Sequence, residues 1–326
     1  MFTTSSFPQR VWGTLGSLSL TIACSGTPSA SSDASGGNSG VGGGENLGGT
    51  TGNTTTTAPA STGGTKSGTG GTSTNTGGTT ASGTGSKSAG CGKAAPLSAP
   101  KQQSLTVGTT ARGYYLVPPT AYNANVAYPI VFAFHGSGDT GAGFHGWSGL
   151  EAPVNGAAIF VYPDGIGGIW DLKNDGSDAQ MFDSIVSTLE ATWCVDQTAI
   201  FAAGFSYGGW AATQMAVSRP AVVRGIASIE GGGPQGGKSS NPAVAAMIIH
   251  GTADTAEPIS SGISSRDHFI ATNGCSNTST AVTPSPCVTY SGCTAGKPVE
   301  WCQHTGAHEI PSFAPGGIWS FFSGLR

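Results

Sequence analysis

Residues Ala199-Ile200-Phe201-Ala202-Ala203-Gly204-Phe205-Ser206-Tyr207-Gly208-Gly209 decide how this chain folds. Five apolar residues without polar alternation describe a strand covered on both faces. The Gly-x-Ser-x-Gly that follows describes a sharp turn into a helix. Gly204 and Gly208 suit a place where strand and helix approach too closely for a side chain. Ser206 falls at the tip of the turn, where its hydroxyl is expected to be exposed.

Working outward, the same strand signature recurs. Tyr128 to Phe134, Ala157 to Tyr162, Val222 to Ile229 and Ala245 to Ile249 are further apolar runs. Helical signals lie between them. Met181, Ile185, Leu189 and Trp193 recur at near-helical spacing over 180–193, and Gly209 to Ser218 and Gly262 to Thr272 are further candidates. Such alternation implies crossover connections and a mostly parallel central sheet with helices on both faces. Ser104 to Pro118 alternates in the β manner and is expected to form antiparallel edge strands. In open α/β sheets ligands bind at the carboxyl ends of the strands, so functional residues should follow the apolar runs.

The chain has 326 residues, of which 54 are Gly. Residues 25–90 hold 20 Gly, 16 Thr and 12 Ser and no aromatic residue, too little apolar surface to offset chain entropy. They read as a disordered linker, leaving 91–326 as the folding region. That region carries 10 Lys+Arg against 15 Asp+Glu and no basic run, which argues against a nucleic-acid partner. Residues 1–24 read as an export signal, with an apolar stretch from Val11 to Ala23 too short to span a bilayer. Leu20-Thr21-Ile22-Ala23-Cys24 is similar to the lipobox of bacterial lipoproteins, which nominates Cys24 for lipidation; ordinary cleavage nearby is the alternative. Either reading puts the mature chain outside the cytoplasm, at the cell surface or extracellular. A lipid anchor would be its one link to a membrane.

Six further cysteines, Cys91, Cys194, Cys275, Cys287, Cys293 and Cys302, suggest three disulfides in an exported domain. No CxxC spacing among them supports a metal site. A hairpin around Gly292-Cys293-Thr294-Ala295-Gly296 would set Cys287 opposite Cys302, with Cys275–Cys293 and Cys91–Cys194 completing the set.

A serine hydroxyl near neutral pH needs a base and an orienting acid to act as a nucleophile. After Ser206, the strand ending at Ile249 leads to His250-Gly251-Thr252-Ala253-Asp254, and Asp254 is the first candidate for the acid, Glu257 the second. His308, on the small-residue turn Gly306-Ala307-His308, is preferred as base over His304 at a strand end; His268 falls mid-helix. Oxyanion donors are expected from the N–H groups of Tyr207 and Ser137, the latter in His135-Gly136-Ser137-Gly138. His135 is expected to have a structural hydrogen-bonding role. Trp170, Tyr207, Phe144 and Trp147 are candidates to line a substrate slot, or equally to be core.

These residues together resemble the secreted α/β-hydrolase carbohydrate esterases that include feruloyl esterases and polyhydroxybutyrate depolymerases, with the feruloyl esterase branch nearest. The resemblance covers nearly all of 90–315. It rests on Gly90-Cys91-Gly92-Lys93, His135-Gly136, Ile159-Phe160-Val161-Tyr162-Pro163, Phe182-Asp183, Cys194-Val195-Asp196, the Ser206 turn, His250 to Asp254 and Gly306-Ala307-His308. It implies an α/β-hydrolase fold and a serine esterase with Ser206, Asp254 and His308 as its triad, needing no metal or organic cofactor. The implied substrate is a hydroxycinnamate ester or an ester-bearing plant cell-wall polysaccharide. The alternatives are polyhydroxybutyrate, acetylxylan, or a non-catalytic glycan-binding lipoprotein. Ala307 departs from the family's usual Gly. Cys287 and Cys302 look additional to the family's cysteines, which supports pairing them with each other.

Overall fold

A computed structural model describes residues 86–235 and 241–326. The segment expected to be an export signal, Cys24 and the expected linker up to residue 85 lie outside the described residues. One ten-stranded sheet runs through the fold. Its centre is β3 (Tyr128–Phe134), β4 (Ile159–Pro163), β5 (Val195–Phe205), β6 (Val223–Ile229) and β7 (Ala245–Gly251), joined by β10 (Val299–His304). These six are mutually parallel, in the order β4-β3-β5-β6-β7-β10. Antiparallel strands close both edges. β1 (Lys101–Val107) and β2 (Thr110–Val117) sit beside β4, while β8 (Ser279–Ala281) and β9 (Cys287–Tyr290) sit beside β10.

Side-chain alternation along the buried strands makes two cores. Ile130, Phe132 and Phe134 of β3 with Ile200 and Ala202 of β5 face one layer. That layer contains α2 (Ser177–Thr192), α3 (Tyr207–Ser218) and α4 (Ile259–Thr272), which contribute Met181, Phe182, Ile185, Leu189, Met215 and Phe269. Val131, Ala133, Phe201 and Ala203 face α1 (Gly141–Ser148) and α5 (Ala314–Gly324) through Phe144, Ile318, Phe321 and Phe322. Burial on both faces is why these strands read as unbroken apolar runs.

Several boundaries differ from the sequence reading, and three of these have a clear physical reason. The folded region includes residues before Cys91: Ser88 is 5 % exposed, its N–H donates to the Val195 carbonyl, and Gly90 packs so closely on Trp193 that a Cβ there would collide. β5 starts at Val195 rather than Ala199, because exposed Gln197 and Thr198 interrupt an otherwise buried strand. α2 starts at Ser177, where Asp178, buried despite its charge, meets Arg112 at 2.6 Å. The disulfides pair as expected, Cys91–Cys194, Cys275–Cys293 and Cys287–Cys302, and the last joins residues directly opposite on β9 and β10.

Burial pushes the Glu300 carboxyl on β10 up to about 7 from its ordinary 4.5. Between those values the folded chain holds a proton that the unfolded chain has released, so this residue's contribution to stability falls as pH rises toward 7. Glu300→Gln is therefore expected to raise the melting temperature near pH 8 and leave it unchanged near pH 4. Equal shifts at both pH values would contradict this.

Candidate active site

The site lies at the carboxyl ends of β3, β5, β6, β7 and β10. Between β5 and α3, Ser206 adopts φ 56° and ψ −123°, a conformation that costs a residue with a side chain about 1–3 kcal/mol. Surrounding backbone holds it there. Ser206 N–H donates to the Ile229 carbonyl at 2.8 Å, and its own carbonyl accepts from Gly209 and Trp210 at the start of α3. A Cβ at Gly204 would collide with the Gly208 carbonyl, and one at Gly208 with the Phe134 carbonyl. Both glycines are demanded by backbone crossing, as the motif predicts.

His308 stands on the loop after β10, its Nδ1 2.6 Å from Asp254 Oδ2. The other Asp254 oxygen accepts the N–H groups of Ala256 and Glu257, at 2.8 and 2.9 Å. Burial alone would raise the Asp254 carboxyl, but the His308 hydrogen bond and these N–H donors outweigh it and hold the group below its ordinary value. Glu257, the second candidate acid, contributes its backbone to this arrangement: its N–H goes to Asp254 and its carbonyl accepts from His250 Nε2. The His308 ring lies 4.8 Å from the ring of Phe205, immediately before Ser206. The turn and the acid–imidazole pair are thus adjacent.

On the other side of Ser206, Gly136 comes close enough that a Cβ there would lie 3.4 Å from the Ser206 Cβ. Buried His135 sets this loop. Gly165 N–H donates to His135 Nε2 at 3.0 Å, so the ring proton sits on Nδ1 and is donated to the Gly136 carbonyl at 2.7 Å. Among the described residues neither Ser137 N–H nor Tyr207 N–H has a hydrogen-bond partner.

The aromatic candidates separate. Trp170 is 2 % exposed, its indole N–H donates to the His135 carbonyl, and its ring packs edge-on against Phe134. It is core, and cannot line a substrate slot. Its carbonyl accepts the Tyr207 hydroxyl at 2.9 Å, so Tyr207 is tied through Trp170 to the loop that carries His135 and Ser137. Phe144 is fully buried as well. Trp147 is 51 % exposed, with its indole N–H on Asp139 and its ring edge-on to Phe205 at 5.5 Å. Ile166 and Ile169, also exposed, bracket Gly168, whose carbonyl accepts Gly138 N–H. Exposure could not be read from composition, since both Trp and Ile are ordinarily buried.

Sequence reasoning also passed over Glu230. It follows the β6 run and precedes three glycines, and a carboxylate at a strand end was the one available signal. It is fully buried at φ 48°, accepting Gly251 N–H at 2.9 Å and approaching His304 Nε2 at 2.6 Å. His304 therefore pairs with Glu230, and His308 with Asp254. His268, on α4 as expected, lies apart from these pairs.

The sheet order and the turn at Ser206 define an α/β-hydrolase. No protein-family model matches the chain. It is 32 % identical over 244 residues to the probable feruloyl esterase C of Aspergillus terreus, covering 69 % of this chain and 89 % of that protein. Feruloyl esterase D of Neurospora crassa is 33 % identical over 260 residues, covering 71 % and 88 %. Among solved structures, an acetyl xylan esterase from Aspergillus awamori superposes with a TM-score of 0.56 at 17 % identity, over 69 % of this chain and all of that one. An S-formylglutathione hydrolase from Staphylococcus aureus gives 0.51 at 8 %, over 70 % and 99 %. Both share the fold. The chain belongs to the feruloyl esterase family and is a carboxylic ester hydrolase.

Proposed function

We propose that this enzyme hydrolyses hydroxycinnamoyl esters of plant cell-wall polysaccharide, with Ser206 as nucleophile, His308 as base and Asp254 as orienting acid. The observation that carries the triad is the 2.6 Å Asp254–His308 pair set against Phe205, beside a serine held at positive φ. Asp254, kept ionised by its donors, holds the proton of neutral His308 on Nδ1. This leaves Nε2 free to take the Ser206 proton as Oγ attacks the ester carbonyl. The unpartnered N–H groups of Ser137 and Tyr207 receive the oxyanion. His308 then protonates the leaving sugar oxygen, and a water activated by His308 releases the acid and restores Ser206. The feruloyl esterase relatives support the acyl group, as do Trp147 on α1 and Ile166 and Ile169 on the loop after β4, apolar and exposed near the Ser206 turn.

The three disulfides fit an extracellular protein. Export by residues 1–24, with a lipid on Cys24 and residues 25–85 as spacer, is part of the same proposal. It rests on sequence outside the described residues.

Ser206→Ala and His308→Ala are each expected to lower kcat by ~10⁴-fold or more, while His304→Ala keeps measurable turnover. A larger loss from His304→Ala would reverse the assignment of the base. In a panel of methyl ferulate, p-nitrophenyl acetate, acetylxylan and hydroxybutyrate oligomers, methyl ferulate is expected to have the highest kcat/KM. Trp147→Ala should lower that value about tenfold and spare the acetate ester. Preference for acetylxylan or the oligomers would overturn the acyl assignment. In a bacterial host, labelled palmitate should enter the wild-type chain and not Cys24→Ala; an unlabelled wild type refutes the anchor.

A further inference from the structure

Glu230 is a buried carboxyl that the ester chemistry above does not use. Its place in the fold is central. Glu230 N–H donates to the Ile249 carbonyl on β7, and the preceding carbonyl, of Ile229, accepts Ser206 N–H. Its side chain reaches the end of β7 through Gly251 N–H and the end of β10 through His304. Gly306 N–H donates to His304 Nδ1 at 3.1 Å, so the proton of the neutral ring is on Nε2 and is donated to Glu230 Oε1. Burial pushes the His304 imidazole below its ordinary value, which favours that neutral ring.

Carboxyl oxygens of Glu230 and Asp254 and a ring nitrogen of His308 all lie within 4.8 Å of one another. The other groups facing this cluster are His250 from β7, His304 from β10, and Glu309 from the loop beyond β10, whose side chain reaches Gly306. His250 Nε2 is 3.6 Å from both Glu230 Oε2 and Asp254 Oδ2, but lies closer, at 2.9 Å, to the Glu257 carbonyl. No Lys or Arg among the described residues forms an ion pair with either carboxyl.

Two carboxyls this close and this buried cannot both ionise cheaply; one keeps a proton. Asp254 has three donors directed at it, Ala256 N–H, Glu257 N–H and His308. Glu230 has two, Gly251 N–H and His304. We propose that Glu230 works as a neutral carboxylic acid, a positioning residue that donates its proton to Asp254 and so keeps the Asp254 carboxylate aligned on His308. The step involves no net transfer, since the proton stays on Glu230 while Asp254 accepts the hydrogen bond. Burial, opposed by the Gly251 N–H and reinforced by Asp254 and Glu309, raises the Glu230 carboxyl to about 8, which agrees with this form near neutral pH. The proposal rests on Asp254 and His308 being the acid and base of the triad.

The full-length enzyme, carbon-13 labelled at its glutamate side-chain carboxyls, tests it without requiring turnover. The Glu230 resonance, identified by its loss in Glu230→Gln, is expected to be that of a neutral acid near pH 6.5 and to titrate near 8. Glu300, raised to about 7, is identified the same way with Glu300→Gln. If no glutamate carbon of the wild type titrates above pH ~7.5, the proposal is wrong whatever the variants do. In turnover, Glu230→Ala should lower kcat by ~10²-fold with KM changed less than about twofold. Glu230→Gln, which can still donate to Asp254, should restore most of that loss and lack the wild-type inflection in kcat near pH 8. A folded Glu230→Gln as slow as Glu230→Ala, or one that keeps the inflection, overturns it. If the triad reading fails instead, Ser206→Ala or His308→Ala stays active while the carboxyl titration is unaffected, so the two failures are distinguishable.

Discussion

Three backbone segments cross behind Ser206 with no room for a side chain between them. The carbonyl of Gly208 presses on Gly204, and that of Phe134 presses on Gly208. This contact brings the start of α3 against the ends of β3 and β5, and with the Ser206–Ile229 hydrogen bond it holds Ser206 at positive φ. The unfavourable conformation survives because the strands on either side are immobilised by burial on both faces. Most of the remaining architecture can be understood as what is needed to keep those strands in place.

A second constraint acts at the carboxyl ends of β6, β7 and β10. Three histidines and two carboxyls gather there without a Lys or Arg in ion-pair reach among the described residues. Their arrangement is decided by who donates to whom. Asp254 takes two loop N–H groups and His308, whereas Glu230 takes Gly251 N–H and His304. Two adjacent acid–imidazole pairs result; burial raises the Glu230 carboxyl, whereas the donors on Asp254 outweigh its burial and hold it down. Asymmetry of this kind lets one carboxyl stay charged beside another that is not.

The reading of residues one by one went furthest where local pattern and backbone geometry coincide. β3 matches its apolar run residue for residue, and the Gly-x-Ser-x-Gly turn stands where the motif implies. It fell short where a residue's role depends on a partner distant in sequence. Trp170 looked like a substrate contact because it follows a strand, yet its indole N–H had a carbonyl 35 residues away to satisfy. Glu230 had no local signal beyond being an acid at a strand end, and its partner His304 lies 74 residues on.

What the amino-acid sequence determined by itself was the parallel sheet, the position of the strained serine and the chain order of serine, carboxylate and histidine. Those follow from period, steric need for glycine and the ends of apolar runs, all of which act within a few residues. Only the tertiary structure decided which imidazole meets which carboxyl, which aromatic rings are solvent-facing, and that Ser88 and Gly90 belong to the folded unit. Each of those depends on distances between segments far apart in the chain, and such distances are set by packing and not by local propensity.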